Sequence, residues 1–281
     1  MPICDVCHNH CNLTEGATGL CKARICKGNT IISKSFGLVT SIALDPIEKK
    51  PLNLFYPGSN IISVGSFGCN LRCPFCQNHE ISYGFDKEYE YGVKHIAPDE
   101  LAEIAESYKP QGNIGVAFTY NEPLVGYEYV IDTAKEVHKR GMKTVLVSNG
   151  CVTETIASQV IPHIDAMNID LKGFTDSYYR DVLGGDRGLV MDFIKRAVSS
   201  SHVEVTTLII PGYNDSDEEM RKLSKWISDL NDGEGRHSVP LHISRYFPRF
   251  KMNIPATEVE SIYHLRDVAR EMLDHVFTGN C

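Results

Sequence analysis

From residue 61 onward the chain alternates between apolar runs and segments of helical spacing. Six runs rich in β-branched residues have the length and composition of buried strands, at 61–68, 113–120, 143–150, 164–172, 203–212 and 239–246. Apolar residues recur at helical spacing between them, at 98–108, 124–141 and 217–231. Strand–helix–strand order of this kind forms right-handed crossovers and a parallel sheet. Because six units are too few for a closed eight-stranded barrel, we predict an α/β fold in which residues 61–281 form a partial, TIM-like (β/α)6 barrel.

Two shorter segments precede this barrel. Residues 1–30 are short of apolar side chains and rich in Cys, Gly and Lys, so they need a metal or a cross-link to fold. We therefore predict a small Cys-rich metal-binding extension there. Residues 31–60 have the pattern of short strands and turns and are predicted to be a connecting segment packed on the barrel.

Composition narrows the classes of function. The 281 residues carry a net charge of −8, which disfavours a nucleic-acid-binding face or a contact with anionic lipid. No stretch approaches the ~20 apolar residues of a membrane span, and the N-terminus lacks the apolar core of a signal peptide. We expect a cytoplasmic protein without nucleic-acid or membrane partners.

Seven of the ten cysteines fall into two tight groups, which in a reducing compartment indicates metal binding more often than disulfides. The first group is Cys4, Cys7, Cys11 and Cys21, and the second is Cys69, Cys73 and Cys76. The remaining cysteines, Cys26, Cys151 and Cys281, stand alone and are predicted to be unligated thiols.

Polar residues follow the predicted strands at their carboxyl ends. Functional groups of such barrels lie at that face, so six consecutive strand ends with polar residues predict one shared cavity. The residues are Cys69, Tyr120, Asn121, Glu122, Ser148, Asn149, Asp170 and Lys172, with Thr206, Thr207, His242 and Arg245 within or near the last two strands.

The stretch "GCNLRCPFCQN" at 68–78 places three cysteines directly after the first predicted strand, at C-x3-C-x2-C spacing. This density is typical of iron–sulfur ligation, although a four-iron cluster ordinarily takes four ligands. Zinc stays open as an alternative, with His79 as the fourth ligand. An unfilled fourth position is what a site that coordinates a small molecule requires.

The same stretch resembles the signature of the radical S-adenosylmethionine (SAM) enzymes, including Phe75 before the third cysteine. Further similarity, at 45–52, 55–59, 119–124, 148–150, 168–174, 204–215 and 240–248, is to the AmmeMemoRadiSam-system radical SAM proteins, which are related to the pyruvate formate-lyase activating enzyme. The resemblance implies that Cys69, Cys73 and Cys76 hold a [4Fe–4S] cluster whose fourth iron is chelated by SAM, with Phe75 beside the cofactors.

The resemblance also implies roles for the residues after the strands. Tyr120, Asn121 and Glu122 stand where the family has a Gly-Gly-Glu-Pro stretch that binds the SAM amino group, although the glycine pair is missing here. Glu122 alone could equally be an acid at a helix N-terminus. Ser148 and Asn149 match a turn that contacts SAM or a monovalent cation, but Val147 replaces the acid that precedes this turn in activases.

Further residues are assigned by resemblance. Asp170 and Lys172 match an element near SAM and the entering peptide, with an internal ion pair as the alternative. His242 matches a histidine near the methionine end of SAM, with a buried structural histidine as the alternative. Thr206 stands where an activase would have a basic residue for the SAM carboxylate, and Arg245 could supply that charge.

The implied activity is reductive cleavage of SAM to a 5′-deoxyadenosyl radical that abstracts hydrogen, as in the activases of glycyl-radical enzymes. The partners would be a protein substrate and an electron donor such as a flavodoxin, ferredoxin or reductase. A radical SAM enzyme acting on a small molecule or a non-glycyl protein site is the first alternative. The second is an iron–sulfur electron carrier, which is disfavoured because carriers saturate every iron with protein ligands.

The N-terminal cysteines have the spacing C-x2-C-x3-C-x9-C, and four thiolates complete a tetrahedral set. Structural Zn²⁺ and an auxiliary [4Fe–4S] cluster both fit four cysteines, and the sequence leaves the choice open. A zinc-ribbon nucleic-acid module is the rival interpretation, but the segment offers little basic surface and no interleaved aromatic residues.

Overall fold

The computed structural model describes residues 1–83, 92–230 and 239–281. Its strands are β1 (Arg24–Lys27), β2 (Thr30–Ser33), β3 (Leu38–Val39), β4 (Ser41–Pro46), β5 (Asn60–Gly65), β6 (Lys94–His95), β7 (Asn113–Phe118), β8 (Lys143–Ser148), β9 (Ala166–Asp170), β10 (His202–Ile209), β11 (Leu241–Arg245) and β12 (Val276–Gly279). Its helices are α1 (His79–Tyr83), α2 (Pro98–Ser107), α3 (Tyr127–Lys139), α4 (Glu154–Val160), α5 (Arg187–Ala197), α6 (Asp217–Ser228) and α7 (Val259–Ala269), with a π-helical turn at Tyr178–Leu183.

An eight-stranded sheet has the order β12-β11-β10-β9-β8-β7-β5-β4. Each neighbouring pair from β5 to β12 is parallel, and β4 is antiparallel to β5. Lys50, which follows β4 at one edge, and Asn280, which follows β12 at the other, line the same cavity. The sheet is therefore curled into an open barrel, and the predicted α/β fold is confirmed.

The six predicted strands all form, each shorter than its apolar run. The predicted helices at 98–108 and 124–141 form as α2 and α3, and 217–231 forms as α6, with Asn231 outside the described residues. The prediction missed β12, which adds a seventh parallel strand. It also left β4 in the connecting segment, whereas β4 is hydrogen-bonded into the main sheet along its whole length.

The amino ends of the strands are closed by residues 47–55. Ile47 and Leu52 are fully buried in one apolar cluster with Ile61 of β5, Ala117 of β7, Val145 of β8 and Ala166 of β9. The buried amide of Asn168 donates to the carbonyl of Pro51 at 2.8 Å. Because this end is filled, open space in the barrel is left at the carboxyl ends of the strands.

The N-terminal extension packs on the outside of the barrel. Its hairpin of β1 and β2 carries Arg24, which is buried and donates to both carboxylate oxygens of Glu128 on α3, at 2.6 and 2.7 Å. The segment of Cys7 forms a backbone bridge to Val152, and Thr153 donates to the carbonyl of Val6 at 3.1 Å. Within the described residues, no helix has both the length and the apolar character needed to cross a bilayer.

Candidate active site

A cavity of about 360 Å³ opens at the carboxyl ends of the strands. Most of the residues predicted for this cavity line it, namely Cys69, Cys73, Phe75, Cys76, Tyr120, Asn121, Glu122, Ser148, Asn149, Asp170, Lys172 and Thr206, whereas Thr207, His242 and Arg245 do not. These side chains come from the carboxyl ends of neighbouring strands and from the loops that follow them, so residues a hundred positions apart in the sequence meet.

The cluster loop, residues 68–78, follows β5 and supplies the three cysteines. Gly68 begins it with a φ of +92°, and a Cβ there would lie 2.4 Å from the carbonyl oxygen of Cys21. Only glycine tolerates both conditions. Phe75 is buried in the same hydrophobic core as Cys73, so the aromatic residue of the motif anchors the loop.

Ionising the thiols of the cluster loop costs free energy unless a positive charge lies beside them, because burial raises their pKa values. Burial, together with the nearby Glu122 carboxylate and Cys73, raises the pKa of Cys69 well above its ordinary value. Burial likewise raises the pKa of Cys73 to about 11. Two N–H groups lie near the sulfur of Cys69, from the Leu71 backbone at 3.5 Å and the Asn149 amide at 3.8 Å. A cationic iron–sulfur cluster fits this donor set, because it offsets the thiolate charge while the N–H groups hydrogen-bond the sulfur.

Glu122 is a buried carboxylate in the cavity wall. One oxygen accepts from the Ser148 hydroxyl at 2.7 Å and from the Leu124 N–H at 3.0 Å, and the other from the Asn149 N–H at 2.8 Å. Burial outweighs these hydrogen bonds and raises the pKa of Glu122 to about 7. Glu122 thus caps the short 3₁₀ helix after β7 and also lines the cavity. It therefore has the position expected of an acid at a helix N-terminus as well as the position expected of a residue that faces a bound molecule.

Tyr120 lies at the position of the missing glycine and has a φ of +74°, in the left-handed region. Its hydroxyl donates to Asp45 at 2.8 Å, and the ammonium of Lys50 lies 4.8 Å from its ring centroid. The neighbouring Asn121 accepts from the Ser66 N–H at 2.9 Å and donates to the Gly68 carbonyl at 3.2 Å. Asn121 therefore holds the start of the cluster loop.

Asp170 and Lys172 form an ion pair of 2.9 Å within the cavity wall. Burial lowers the pKa of Lys172, but the opposing effect of Asp170 and Cys73 is larger, and the net pKa is raised. The lysine stays charged beside the cluster loop.

His242 lies one layer deeper in the barrel, away from the lining of the cavity. Its Nε2 is 2.6 Å from a carboxylate oxygen of Glu204, and its ring stacks on Phe277 at 5.2 Å. This placement matches the structural alternative considered for this histidine. Arg245 is also absent from the lining, since its guanidinium donates to the Thr257 carbonyl at 2.6 Å, whereas Thr206 does line the cavity.

Several lining residues were missed by the sequence reasoning, namely Lys49, Lys50, Asn78, Tyr83, Ser244 and Asn280. Lys50 lies within the stretch 45–52 that carried the family resemblance, which was the available signal. His79, the alternative zinc ligand, stacks on Phe250 at 4.4 Å and does not line the cavity.

In the extension, Cys4, Cys7 and Cys21 are buried and Cys11 is half-buried. Burial raises the pKa of the three buried thiols, to about 11 for Cys21. The sulfurs of Cys11 and Cys21 each lie 3.7 Å from the point that a Cβ on Gly19 would occupy. All ten cysteines are free thiols, and among the described residues no group of three or more His, Cys, Asp or Glu side chains is placed so that it could hold a metal ion without rearrangement. Four thiols in one small segment suit either zinc or an iron–sulfur cluster.

Comparison with known proteins agrees with this geometry. The family model of the radical SAM superfamily matches residues 63–226. An uncharacterised protein of Methanocaldococcus jannaschii is 36% identical over 280 residues, covering 99% of this chain and 80% of that protein. The pyruvate formate-lyase-activating enzyme of Clostridium pasteurianum is 30% identical over 218 residues, covering 75% of this chain and 85% of that enzyme.

Among solved structures, Streptococcus suis SuiB bound to S-adenosylmethionine superposes with a TM-score of 0.59 at 12% identity, over 76% of this chain and 48% of that one. At this identity the likeness concerns the fold. Together these matches confirm the superfamily resemblance and the relationship to activating enzymes that the sequence predicted.

Proposed function

Because the chain belongs to the radical SAM superfamily, we propose that it cleaves S-adenosylmethionine reductively at a [4Fe–4S] cluster held by Cys69, Cys73 and Cys76. The observation that carries the proposal is the single cavity in which these thiols share a wall with Glu122 and Lys172. Three thiolates would leave one iron of a four-iron cluster without a protein ligand, and the cavity of about 360 Å³ that they line would offer space for a small molecule as the missing ligand.

When bound, the cluster and SAM supply one-electron cleavage to methionine and a 5′-deoxyadenosyl radical that abstracts hydrogen. The chain binds and orients these groups. The carboxylate of Glu122 is held by Ser148 and Asn149 and is available to the amino group of SAM. Asp170 and Lys172 offer one charge of each sign to the bound molecule at the next strand end.

For the substrate, we propose hydrogen abstraction from a partner protein, as in activases of glycyl-radical enzymes. The support is the similarity to the Clostridium pasteurianum activating enzyme over most of both chains. A flavodoxin, ferredoxin or reductase would supply the electron. One observation favours a different target, either a small molecule or a non-glycyl protein site: Lys50 and Tyr120 fill part of the cavity wall, where the family has glycine at the position of Tyr120.

The four cysteines of the extension are proposed to hold a metal, either Zn²⁺ or a second [4Fe–4S] cluster. Iron, acid-labile sulfide and zinc per chain, measured on anaerobically purified protein, separate the two. About four irons with one zinc indicate a structural site, and about eight irons without zinc indicate a second cluster. We place the protein in the cytoplasm, where its ten free thiols stay reduced.

The activity is tested by anaerobic reduction with SAM and measurement of 5′-deoxyadenosine. Cys73→Ala should abolish product formation, and the matched control Cys151→Ala, a buried cysteine outside the cluster loop, should retain it. No 5′-deoxyadenosine from the parent protein would refute the enzyme and leave the electron carrier. A glycyl-radical signal in a co-purified partner, recorded by EPR, would support the activase, and SAM cleavage that labels a different acceptor would support the alternative target.

A further inference from the structure

We propose that Asn9 is a positioning residue through which the metal site of the extension holds the cluster loop in its working geometry. The proposal rests on the proposed function, because it assumes a cluster at Cys69, Cys73 and Cys76. The amide nitrogen of Asn9 lies 3.6 Å from the sulfur of Cys7 and 3.1 Å from the carbonyl oxygen of Asn70. One side chain thus joins a cysteine of the extension to the residue that follows Cys69.

A second contact lies on the other side of Cys69. Its backbone N–H donates to the carbonyl of Cys21 at 3.2 Å, and Gly68 approaches Cys21 too closely for any Cβ. Cys21 therefore accepts a hydrogen bond from Cys69 itself, and Cys7 is linked through Asn9 to Asn70, the residue after Cys69. The two cysteines of the extension thus bracket Cys69. The first turn of the cluster loop lies directly on the extension.

The contact of Asn9 continues to the sulfur of Cys69. Asn70 donates its amide to the Cys151 carbonyl at 2.7 Å and accepts from the Asn149 amide at 2.9 Å. The same Asn149 nitrogen lies 3.8 Å from the Cys69 sulfur. A displacement of Asn70 therefore changes an N–H group beside a proposed iron ligand, and hydrogen bonds to sulfur help to set cluster potentials.

The extension has few apolar contacts that would fix its cysteines. Of residues 1–30 only Cys4 and Val6 are buried in the main core, and the backbone is held by the β1–β2 hairpin, isolated bridges and turn hydrogen bonds such as Cys4 N–H to the Cys11 carbonyl. A metal bound by all four thiols would fix the positions of Cys7 and Cys21 together. The cluster loop would then be fixed on both sides of Cys69, and loss of the metal would release it.

The test uses the full chain, reconstituted anaerobically with iron and sulfide. Asn9→Asp keeps the size of the side chain and removes both N–H donors. Asn12→Asp adds the same charge at an exposed position of the extension and is the matched control. Cys11→Ser removes a ligand of the extension without touching either bracketing contact. Four quantities are measured: the rate at which cluster iron is lost to the chelator ferrozine, the EPR spectrum of the reduced cluster, the reduction potential of the cluster, and the metal content of the extension.

We expect Asn9→Asp to accelerate iron loss about tenfold, the lower end for residues that orient metal ligands, and to alter the EPR spectrum and potential while the extension keeps its metal. Cys11→Ser should have a similar effect, and the double variant should lose iron no faster than Cys11→Ser alone, because both changes break the same coupling. Asn12→Asp should match the parent protein.

If Asn9→Asp loses cluster iron at the same rate as Asn12→Asp, the proposal is overturned. It is also overturned if the accelerations of iron loss caused by Asn9→Asp and Cys11→Ser multiply in the double variant. A parent protein that binds a cluster and cleaves SAM while the variants show no coupling leaves the proposed function intact. A parent protein that binds no cluster overturns both proposals, so the two failures are distinguishable.

Discussion

Glu204 is a fully buried acid with four hydrogen-bond partners, so its removal should destabilise the fold. Its fully buried carboxylate accepts hydrogen bonds from the backbone N–H groups of Asn53 at 3.0 Å and Leu54 at 2.8 Å. It also contacts the ring nitrogens of His202 at 2.9 Å and His242 at 2.6 Å. The carboxylate thereby ties the segment that closes the barrel to strands β10 and β11, and Glu204→Gln removes its charge.

The size of the effect follows from the pKa of Glu204. Burial alone would raise it, but the hydrogen bonds from both histidines and both backbone groups lower it from 4.5 to about 2. Since each pKa unit corresponds to about 1.4 kcal/mol, the ionised form contributes on the order of 3 kcal/mol to stability at neutral pH. The folded-state pKa lies below the unfolded-state value, so this contribution is complete above about pH 4.5 and is lost as the pH falls through about 2.

The assay is urea unfolding between pH 7 and pH 3, followed by the fluorescence of Trp226, the single tryptophan of the chain. Glu204→Gln should lower the free energy of unfolding by about 3 kcal/mol at pH 7, and the difference from the parent protein should shrink toward pH 3. Glu48→Gln is the control, since this exposed carboxylate holds the same segment by one hydrogen bond from Gly58. A loss below ~1 kcal/mol at pH 7, or a loss that does not depend on pH, would refute the reasoning.

Two further predictions concern ion pairs. Burial would raise the pKa of Asp45, but the hydrogen bond from Lys50 opposes this effect, and the pKa is lowered to about 2. Lys50→Met should therefore move the pKa of Asp45 toward 3.8. A carbon-13 NMR titration of Asp45 that is unchanged in this variant would contradict the pairing. Glu128→Ala should destabilise the protein by about 3 kcal/mol, the lower end for breaking a buried ion pair, because it leaves the buried guanidinium of Arg24 without its carboxylate. Glu154→Ala, which removes an exposed ion pair, should cost under ~1 kcal/mol in the same urea experiment.

The sequence predicted the barrel well where strands are buried on both faces, because such strands are continuous apolar runs. It missed β12, whose four residues include Thr278 and Gly279 and carry too little apolar pattern. It missed the pairing of β4, because Asp45 and Pro46 interrupt the apolar run of this strand. The strand is ordered by its hydrogen bonds to β5, which its own sequence does not reveal. Both omissions concern edges of the sheet, where neighbouring strands rather than local sequence decide the structure.

The sequence indicated the residues of the site where they form a local motif, as the three cysteines do. It did not indicate how deep in the barrel a strand residue lies, and therefore whether that residue reaches the cavity. Residues two apart on a strand share a face, so His242 and Ser244 are equivalent in a sequence pattern. The structure separates them: Ser244 lines the cavity, and His242 lies one layer below, against Glu204. Lys50 was missed for another reason: it follows the edge strand β4, which the prediction left outside the barrel, and only the family resemblance of the stretch 45–52 pointed to it.

Tyr120 shows how the chain accommodates its departure from the family pattern. A non-glycine residue in the left-handed region costs about 1–2 kcal/mol, so a tyrosine with φ of +74° needs compensation. Gly65 supplies space, because a Cβ there would lie 2.8 Å from the tyrosine ring.

The hydroxyl of Tyr120 and the face of its ring are then engaged by Asp45 and Lys50. The amide of Asn78, in the cluster loop, donates to the Tyr120 carbonyl at 2.7 Å. Tyr120 thus keeps its left-handed backbone, and its side chain and Lys50 line the cavity. In the proposed function SAM is held by the cluster and by Glu122, so we infer that Tyr120 and Lys50 alter what enters beside SAM and leave SAM binding itself in place.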